Sequence, residues 1–310
     1  MQALIVFLLV FTVIVSIHEF GHFYFARKAG ILVREFAIGM GPKLFSHQGK
    51  DGVLYTIRMI PLGGYVRLAG LGEDQDAVQA GMQVGLVLNK AGLVTRINTS
   101  KVALEDEVPV QVDQLDLTDA MTITGLPLGS QDLVTYQVDH KARIIEADGS
   151  SIQVAPRQVT YGAAKPWAKF MTNVAGPMNN FILSILIFVV VAFVRPGGVP
   201  VEANVLGYIE PDSPAAQAGL QSGDRIDAIG ESKVSNWRQM VQAIQSKPGQ
   251  TVDFSVHRGN QDLTLPVAIR ADQVEQATIG RIGVAQPETQ DFWAKIAYGF
   301  TATWSQITGV

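Results

Sequence analysis

The 310-residue sequence contains no cysteine. That excludes disulfides and any metal centre built on thiolates, so a metal could be held only by histidine and carboxylate. Charge is scarce as well: Asp, Glu, Lys and Arg make up 17% of the chain, against roughly 25% in soluble proteins. The net charge of −4 gives no basic surface, so no nucleic-acid partner is expected. What replaces charge is apolar sequence, at 47% of residues with a mean hydropathy of +0.20. Together these values point to segments embedded in a lipid bilayer.

Two runs are long enough to cross one. Ala3 to Ala26 holds a single carboxylate, Glu19, and two histidines before the first fixed charges, Arg27 and Lys28. Phe170 to Val194 has no charge over 25 residues, where about 20 suffice for a span. The first run is unlike a secretory signal: nothing basic precedes it, it is too long, and His-Glu-x-x-His interrupts its end. The expected spans are therefore 1–26 and 166–194. A third membrane segment is expected to start in 288–310, which is apolar from Phe292 on, carries Trp293 and Trp304, and holds only Lys295 after that point. Arg27, Lys28, Arg34 and Lys43 follow the first span; Lys165 and Lys169 precede the second, and only Arg195 lies just after it. Lysine and arginine favour the cytoplasmic side, so residues 27–168 are expected to be cytoplasmic, with the amino terminus and everything after the second span outside.

Between the spans the chain changes character. Residues 27–69 are basic, and Val53-Leu-Tyr-Thr-Ile-Arg-Met-Ile60 is β-prone between Gly39, Gly41, Gly63 and Gly64. Residues 70–165 are acidic and read as a β-rich insert, with Val134–His140 and Ile152–Ala155 around a turn at 147–151. No catalytic constellation stands out there. After the linker Arg195–Pro200, a compact domain follows to residue 287. Pro211–Leu220 predicts a turn into a short helix, and Gly223–Gly230 a turn into a strand. Trp237, Met240, Val241 and Ile244 predict a helix with one core face.

The chemistry lies in His18-Glu19-Phe20-Gly21-His22. Histidines four apart on a helix lie on one face and can share a metal. Glu19, one position on, reaches a water beside the metal rather than the metal itself. Zinc suits two imidazoles, and it makes such a water acidic enough to ionise near neutral pH. Ionisable groups in a membrane helix are costly, which argues for function over a solvated accident at the helix end. The Gly39-x-Gly41 pair lacks the third glycine and the strand–helix setting of a nucleotide loop.

His-Glu-Phe-Gly-His at the inner end of a first span resembles the site-2 proteases, notably bacterial ones that cleave anti-sigma factors. Phe36–Pro42 together with Tyr55–Val66 is similar to that family's membrane-re-entrant β-loop. Gly176-Pro-Met-Asn-Asn-Phe181 is similar to its Gly-Pro-x-x-Asn-Phe pattern, and residues 195–287 resemble its PDZ domain. The resemblance covers the chain apart from the acidic insert. It implies a membrane α-helical protein with a re-entrant β-loop, a β-rich cytoplasmic insert and an extracytoplasmic PDZ domain, α+β in class. The implied activity is that of a zinc endopeptidase acting on single-span membrane proteins, such as anti-sigma factors or signal-peptide remnants, in regulated intramembrane proteolysis. His18 and His22 would bind Zn2+ and Glu19 would be the general base. Asn180 would contact substrate, or else make only a helix-start hydrogen bond beside a first-turn Pro177; Asn179 is expected to be incidental. Tyr55, Ile57 and Met59 would hold an extended peptide by strand addition, unless 53–66 is an ordinary soluble hairpin.

One element of that pattern is missing. The family's third zinc ligand is an Asp in a Leu-Asp-Gly motif on a later span, whereas Asp51-Gly52 and Asp148-Gly149 fall in polar turns. A carboxy-terminal truncation is the simplest expectation. A membrane-anchored PDZ scaffold with a vestigial metal site, and a zinc transporter, are the competing functions. A transporter would need several spans with inward polar groups, and only one such cluster is present.

Overall fold

The computed structural model describes residues 1–71, 78–274 and 277–309. Positions 72–77, at the start of the acidic insert, 275–276 in the PDZ-like stretch, and Val310 lie outside the described residues. The chain forms two compact units, Met1–Ile182 and Leu183–Val310, and one long helix runs through the boundary.

In the first unit, α1 (Gln2–Lys28) takes up the first apolar run as an unbroken helix of 27 residues, with Arg27 and Lys28 in its last turn. The second run lies within α2 (Pro166–Val194), and both helices are long and apolar enough to cross a membrane. Pro166 opens α2, where a missing N–H costs nothing. Pro177 is interior to this helix rather than in its first turn as expected from sequence. Asn180 is accordingly not a helix-start residue: it lies about 15 Å along the apolar run that begins at Phe170.

Between the helices, β1 (Val33–Gln48) and β2 (Leu54–Leu68) pair antiparallel with repeated register shifts. Ala37 lies opposite both Thr56 and Tyr65, while Phe45 lies opposite Ile57 and Gln48 opposite Leu54, so both strands are bent double. The hairpin is inverted in polarity. Glu35, 4% exposed, accepts from Arg58 at 2.8 Å and from Thr56 at 2.7 Å, and Arg58 also donates to the Tyr65 hydroxyl and lies over its ring. Met40, Leu44, Phe45, Ile57, Met59 and Leu62 are exposed.

The insert is a closed β-barrel. Strands β3 (Gln83–Leu88), β4 (Val94–Asn98), β5 (Glu107–Asp116), β6 (Thr122–Pro127), β7 (Val134–Ile145) and β8 (Ser151–Gln153) form one sheet. A parallel pairing of β4 with β7 closes it around Leu86, Ile97, Val110 and Ile123. Lys43–Asp148 at 2.6 Å and Arg67–Glu146 at 3.2 Å bind the barrel to the hairpin.

The second unit holds β9 (Val199–Pro200), α3 (Pro214–Gln217), β10 (Arg225–Ile229), β11 (Ser232–Lys233), α4 (Trp237–Gln245), β12 (Thr251–Arg258) and β13 (Gln261–Ala268). The β14–β15 hairpin (Arg270–Val274, Ala277–Arg281), β16 (Glu288–Thr289) and α5 (Phe292–Thr308) complete it. Strands β11-β10-β12-β13 form a four-stranded sheet, and Ile226, Ile229, Met240 and Phe254 are at its core. The expected helix at Trp237–Ile244 and strand after Gly223 are both present, with Met240 and Ile244 buried. Helix α5 packs on residues 184–193 of α2: Ser184 meets Thr303 at 3.2 Å, and the rings of Phe188 and Tyr298 meet edge-on.

Candidate active site

On α1, four-residue spacing brings the imidazoles of His18 and His22 to a centroid separation of 5.0 Å. Nδ1 of His22 lies 2.6 Å from the carbonyl oxygen of Thr172. A carbonyl only accepts, so that nitrogen carries the proton and Nε2 keeps its lone pair. Nδ1 of His18 lies 3.1 Å from Nδ2 of Asn180. The two Nε2 atoms converge on Gly176 of α2: a β-carbon there would stand 2.4 Å from that of His22 and 2.5 Å from that of His18. Both Nε2 atoms thus face one point beside the glycine, the convergence that two imidazoles need to share one ion. Each imidazole also has its other nitrogen held by a neighbour, the arrangement that aims histidine ligands. The residues fit a metal.

Close helix contact underlies this convergence. Gly21, between the two histidines, lies against the backbone of Ala175 and Gly176, an approach that small residues allow between membrane helices. Asn179, expected to be incidental, donates to the carbonyl of Ile17 at 3.0 Å and fastens α2 to α1 beside His18. Thr172, Gly176 and Asn179 are thus site residues that spacing on α1 alone does not reveal. For Gly176 the only signal is the Gly-Pro-x-x-Asn-Phe pattern, in which Asn179 falls on an unspecified position.

Glu19 faces the β-hairpin. A β-carbon on Gly64 would lie 3.2 Å from its Cγ and 2.8 Å from the carbonyl of Ala37, and Thr12, two turns earlier, donates to the carbonyl of Pro61 at 3.2 Å. The hairpin therefore runs along the face of α1 that carries Thr12 and Glu19. Ile57 and Met59 are exposed on β2. Tyr55 instead packs its ring near Phe23 and Phe36 at the base of the hairpin and donates to Asp51 at 2.9 Å.

Neither Asp-Gly turn joins the histidines. Asp51 pairs with Arg27 at 2.6 Å, and Asp148 with Lys43. Among the described residues no three of His, Cys, Asp and Glu gather as a metal cage. His18 and His22 would supply two ligands to a centre that ordinarily has three.

The sequence pattern of peptidase family M50 matches residues 6–310. The chain belongs to peptidase family M50. Among M50 relatives, "Probable protease eep" of Enterococcus faecalis is 42% identical, over 100% of this chain and 74% of its own length. "Putative zinc metalloprotease LL2128" of Lactococcus lactis is 40% identical over the same shares. A Streptococcus pneumoniae protein of the same printed description is 44% identical over 97% of this chain and 71% of its own. A solved PDZ domain of an SdrC-like protein from Listeria monocytogenes, 22% identical, covers 28% of this chain and 90% of that one with a TM-score of 0.24. As an M50 peptidase the chain is a metalloprotease, and its two long apolar helices make it a membrane protein.

Proposed function

We propose that this M50 peptidase is an intramembrane zinc endopeptidase that cuts single-span membrane proteins within or beside their span. The observation that carries the reading is the convergence of His18 Nε2 and His22 Nε2 beside Gly176, where two long apolar helices meet. His18 and His22 hold Zn2+, and a third ligand completes the centre. Bound zinc supplies a Lewis acid and makes a neighbouring water acidic at neutral pH. Glu19 accepts the proton of the attacking water and passes it to the departing amine nitrogen, acting as general base and then general acid.

A helical substrate hides its peptide bonds in hydrogen bonds four residues apart and must be unwound to be cut. The inverted hairpin suits that task at membrane depth. Its Glu35–Arg58 pair is sheltered inside, and its exposed face, Ile57 and Met59 included, is apolar. An extended substrate strand would bond to this hairpin, with Tyr55 anchoring its base and the Asn180 amide close to the scissile region. Substrates are anti-sigma factors or signal-peptide remnants already shortened by another protease, in regulated intramembrane proteolysis. Residues 27–168 face the cytoplasm, and 195–287 form a PDZ domain outside that filters substrates by size or docks them. Helix α5 begins a third membrane segment.

The test uses the full-length protein in bilayers with a single-span substrate. Glu19→Gln should slow cleavage at least ~10²-fold while zinc content stays unchanged, because the amide cannot take the proton. Near-normal cleavage by that variant would overturn the mechanism and favour a scaffold. A purified wild-type enzyme that cleaves without binding zinc would overturn the metal assignment.

A further inference from the structure

We propose that Asn180 is a positioning residue of the metal centre, its carboxamide oxygen accepting the Nδ1–H of His18 so that Nε2 faces the ion. The inference rests on the zinc reading above and adds a residue whose role there is not substrate contact.

Nδ2 of Asn180 stands 3.1 Å from His18 Nδ1, and its Oδ1 is buried with no hydrogen-bond partner. With the amide placed that way, the imidazole must accept at Nδ1 and carry its proton on Nε2. That proton would point towards Gly176, the point to which His22 offers a lone pair. Such a pair of histidines cannot share a cation, and the orphaned oxygen costs about 1–3 kcal/mol. Oxygen and nitrogen of a carboxamide occupy equivalent places, so a half-turn puts Oδ1 where Nδ2 stood, facing His18 Nδ1, and carries Nδ2 to the place Oδ1 held. The oxygen then accepts Nδ1–H, and Nε2 turns its lone pair towards Gly176. His18 is then held as His22 already is, where the Thr172 carbonyl accepts from Nδ1 at 2.6 Å.

The two devices are built differently for a local reason. Thr172 presents a backbone oxygen, while the next contact along α2 falls two turns on, and there a side chain supplies the oxygen. Asn179 next to it donates to the Ile17 carbonyl at 3.0 Å, which fixes α2 against α1 at the residue before His18. The amide therefore has little freedom to retreat from the imidazole.

The test measures zinc affinity of the full-length purified protein by competition with a chelator, with far-UV circular dichroism to confirm folding. Asn180→Leu should weaken zinc binding about 10- to 100-fold, the usual cost of losing such a partner. Asn180→Asp, whose carboxylate accepts the same Nδ1–H, should bind zinc within a few-fold of wild type. A folded Asn180→Leu protein with wild-type zinc affinity but slow cleavage would overturn the proposal and place the amide on the substrate. Equal loss of zinc in the Asp and Leu variants would overturn it too, since the amide would then act as a donor. If the wild-type protein itself binds no zinc, it is the metal reading that fails, and this inference falls with it.

Discussion

Gly176 meets His22 across the α1–α2 contact so closely that a β-carbon on the glycine would stand 2.4 Å from Nε2 of the imidazole. The same atom would stand 2.5 Å from Nε2 of His18, so a methyl group here pushes both imidazoles away from the positions in which they converge. Gly176→Ala should lower zinc content about 10-fold or more, on the scale of losing a ligand's aim. Gly162→Ala is the control, since the nearest atom to its β-carbon would be 3.8 Å away. Zinc per protein, measured by elemental analysis of both variants, checks this; equal zinc in the two would refute the location of the site.

The second prediction separates the general base from the metal. Gly64 leaves room for Glu19, and a β-carbon there would press on the Ala37 carbonyl at 2.8 Å and on Glu19 Cγ at 3.2 Å. Gly64→Ala should displace the carboxylate or the strand by a fraction of an ångström. Misplacement on that scale costs roughly 10-fold or more in rate. Zinc content should be unchanged, so a cleavage assay and a zinc assay on one preparation distinguish this variant from Gly176→Ala.

The contrast between these glycines shows what the sequence could and could not tell. The His18–Glu19–His22 constellation is local, three residues within five on one helix, and the spacing of its histidines alone implies a metal. The partners of those histidines come from α2, some 150 residues later, and no spacing rule reports a carbonyl such as that of Thr172. Pro177 misled for a related reason: proline is favoured in a first turn, but Pro166 already fills that place and the helix runs on through Pro177. Turn residues at 147–151 revealed β7 and β8 of the insert but not β3 to β6, and closure of its barrel depends on β4 pairing in parallel with β7, a contact set by the whole sheet. The β-prone character of 53–60 was legible. That Tyr55 turns to the aromatic base while Ile57 stays exposed was not, because the register shifts between β1 and β2 defeat a simple alternation.

In the second unit the buried carboxylate of Asp224 gives a pH-dependent prediction. Burial pushes its carboxyl up, but two bonds from Arg258 and one from the Gln221 N–H outweigh this and hold it below the usual range. A depressed folded-state pKa contributes stability that is present above the unfolded value, near 3.9, and lost as pH falls through the folded value. Local stability, read by hydrogen exchange at β10 and β12, should be flat between about pH 5 and 8 and decline only below about 4. Arg258→Met leaves the carboxylate, 1% exposed, without its counter-ion. That should cost about 2–4 kcal/mol at pH 7 and reverse the slope, with stability rising as the pH is lowered.

The last prediction concerns sidedness and rests on charge. Four basic residues, Arg27, Lys28, Arg34 and Lys43, follow the first apolar run, and Lys165 and Lys169 precede the second, against Arg195 alone just beyond it. Basic residues near span ends are retained on the cytoplasmic side, so the barrel should be inside and the β10–β13 sheet outside. The chain has no cysteine, so a single introduced thiol reports its own surroundings without background. Gln131, between β6 and β7, and Ser232, in β11, are both exposed and suit the substitution. Ser232→Cys should react with a membrane-impermeant thiol reagent in intact cells, and Gln131→Cys only after the membrane is permeabilised. The opposite pattern would invert the topology and put the proposed PDZ domain in the cytoplasm, where it could not screen the outer parts of substrates. Labelling of both in intact cells would mean that α2 does not separate them across the bilayer, and the intramembrane placement of His18, His22 and Asn180 would fall with it.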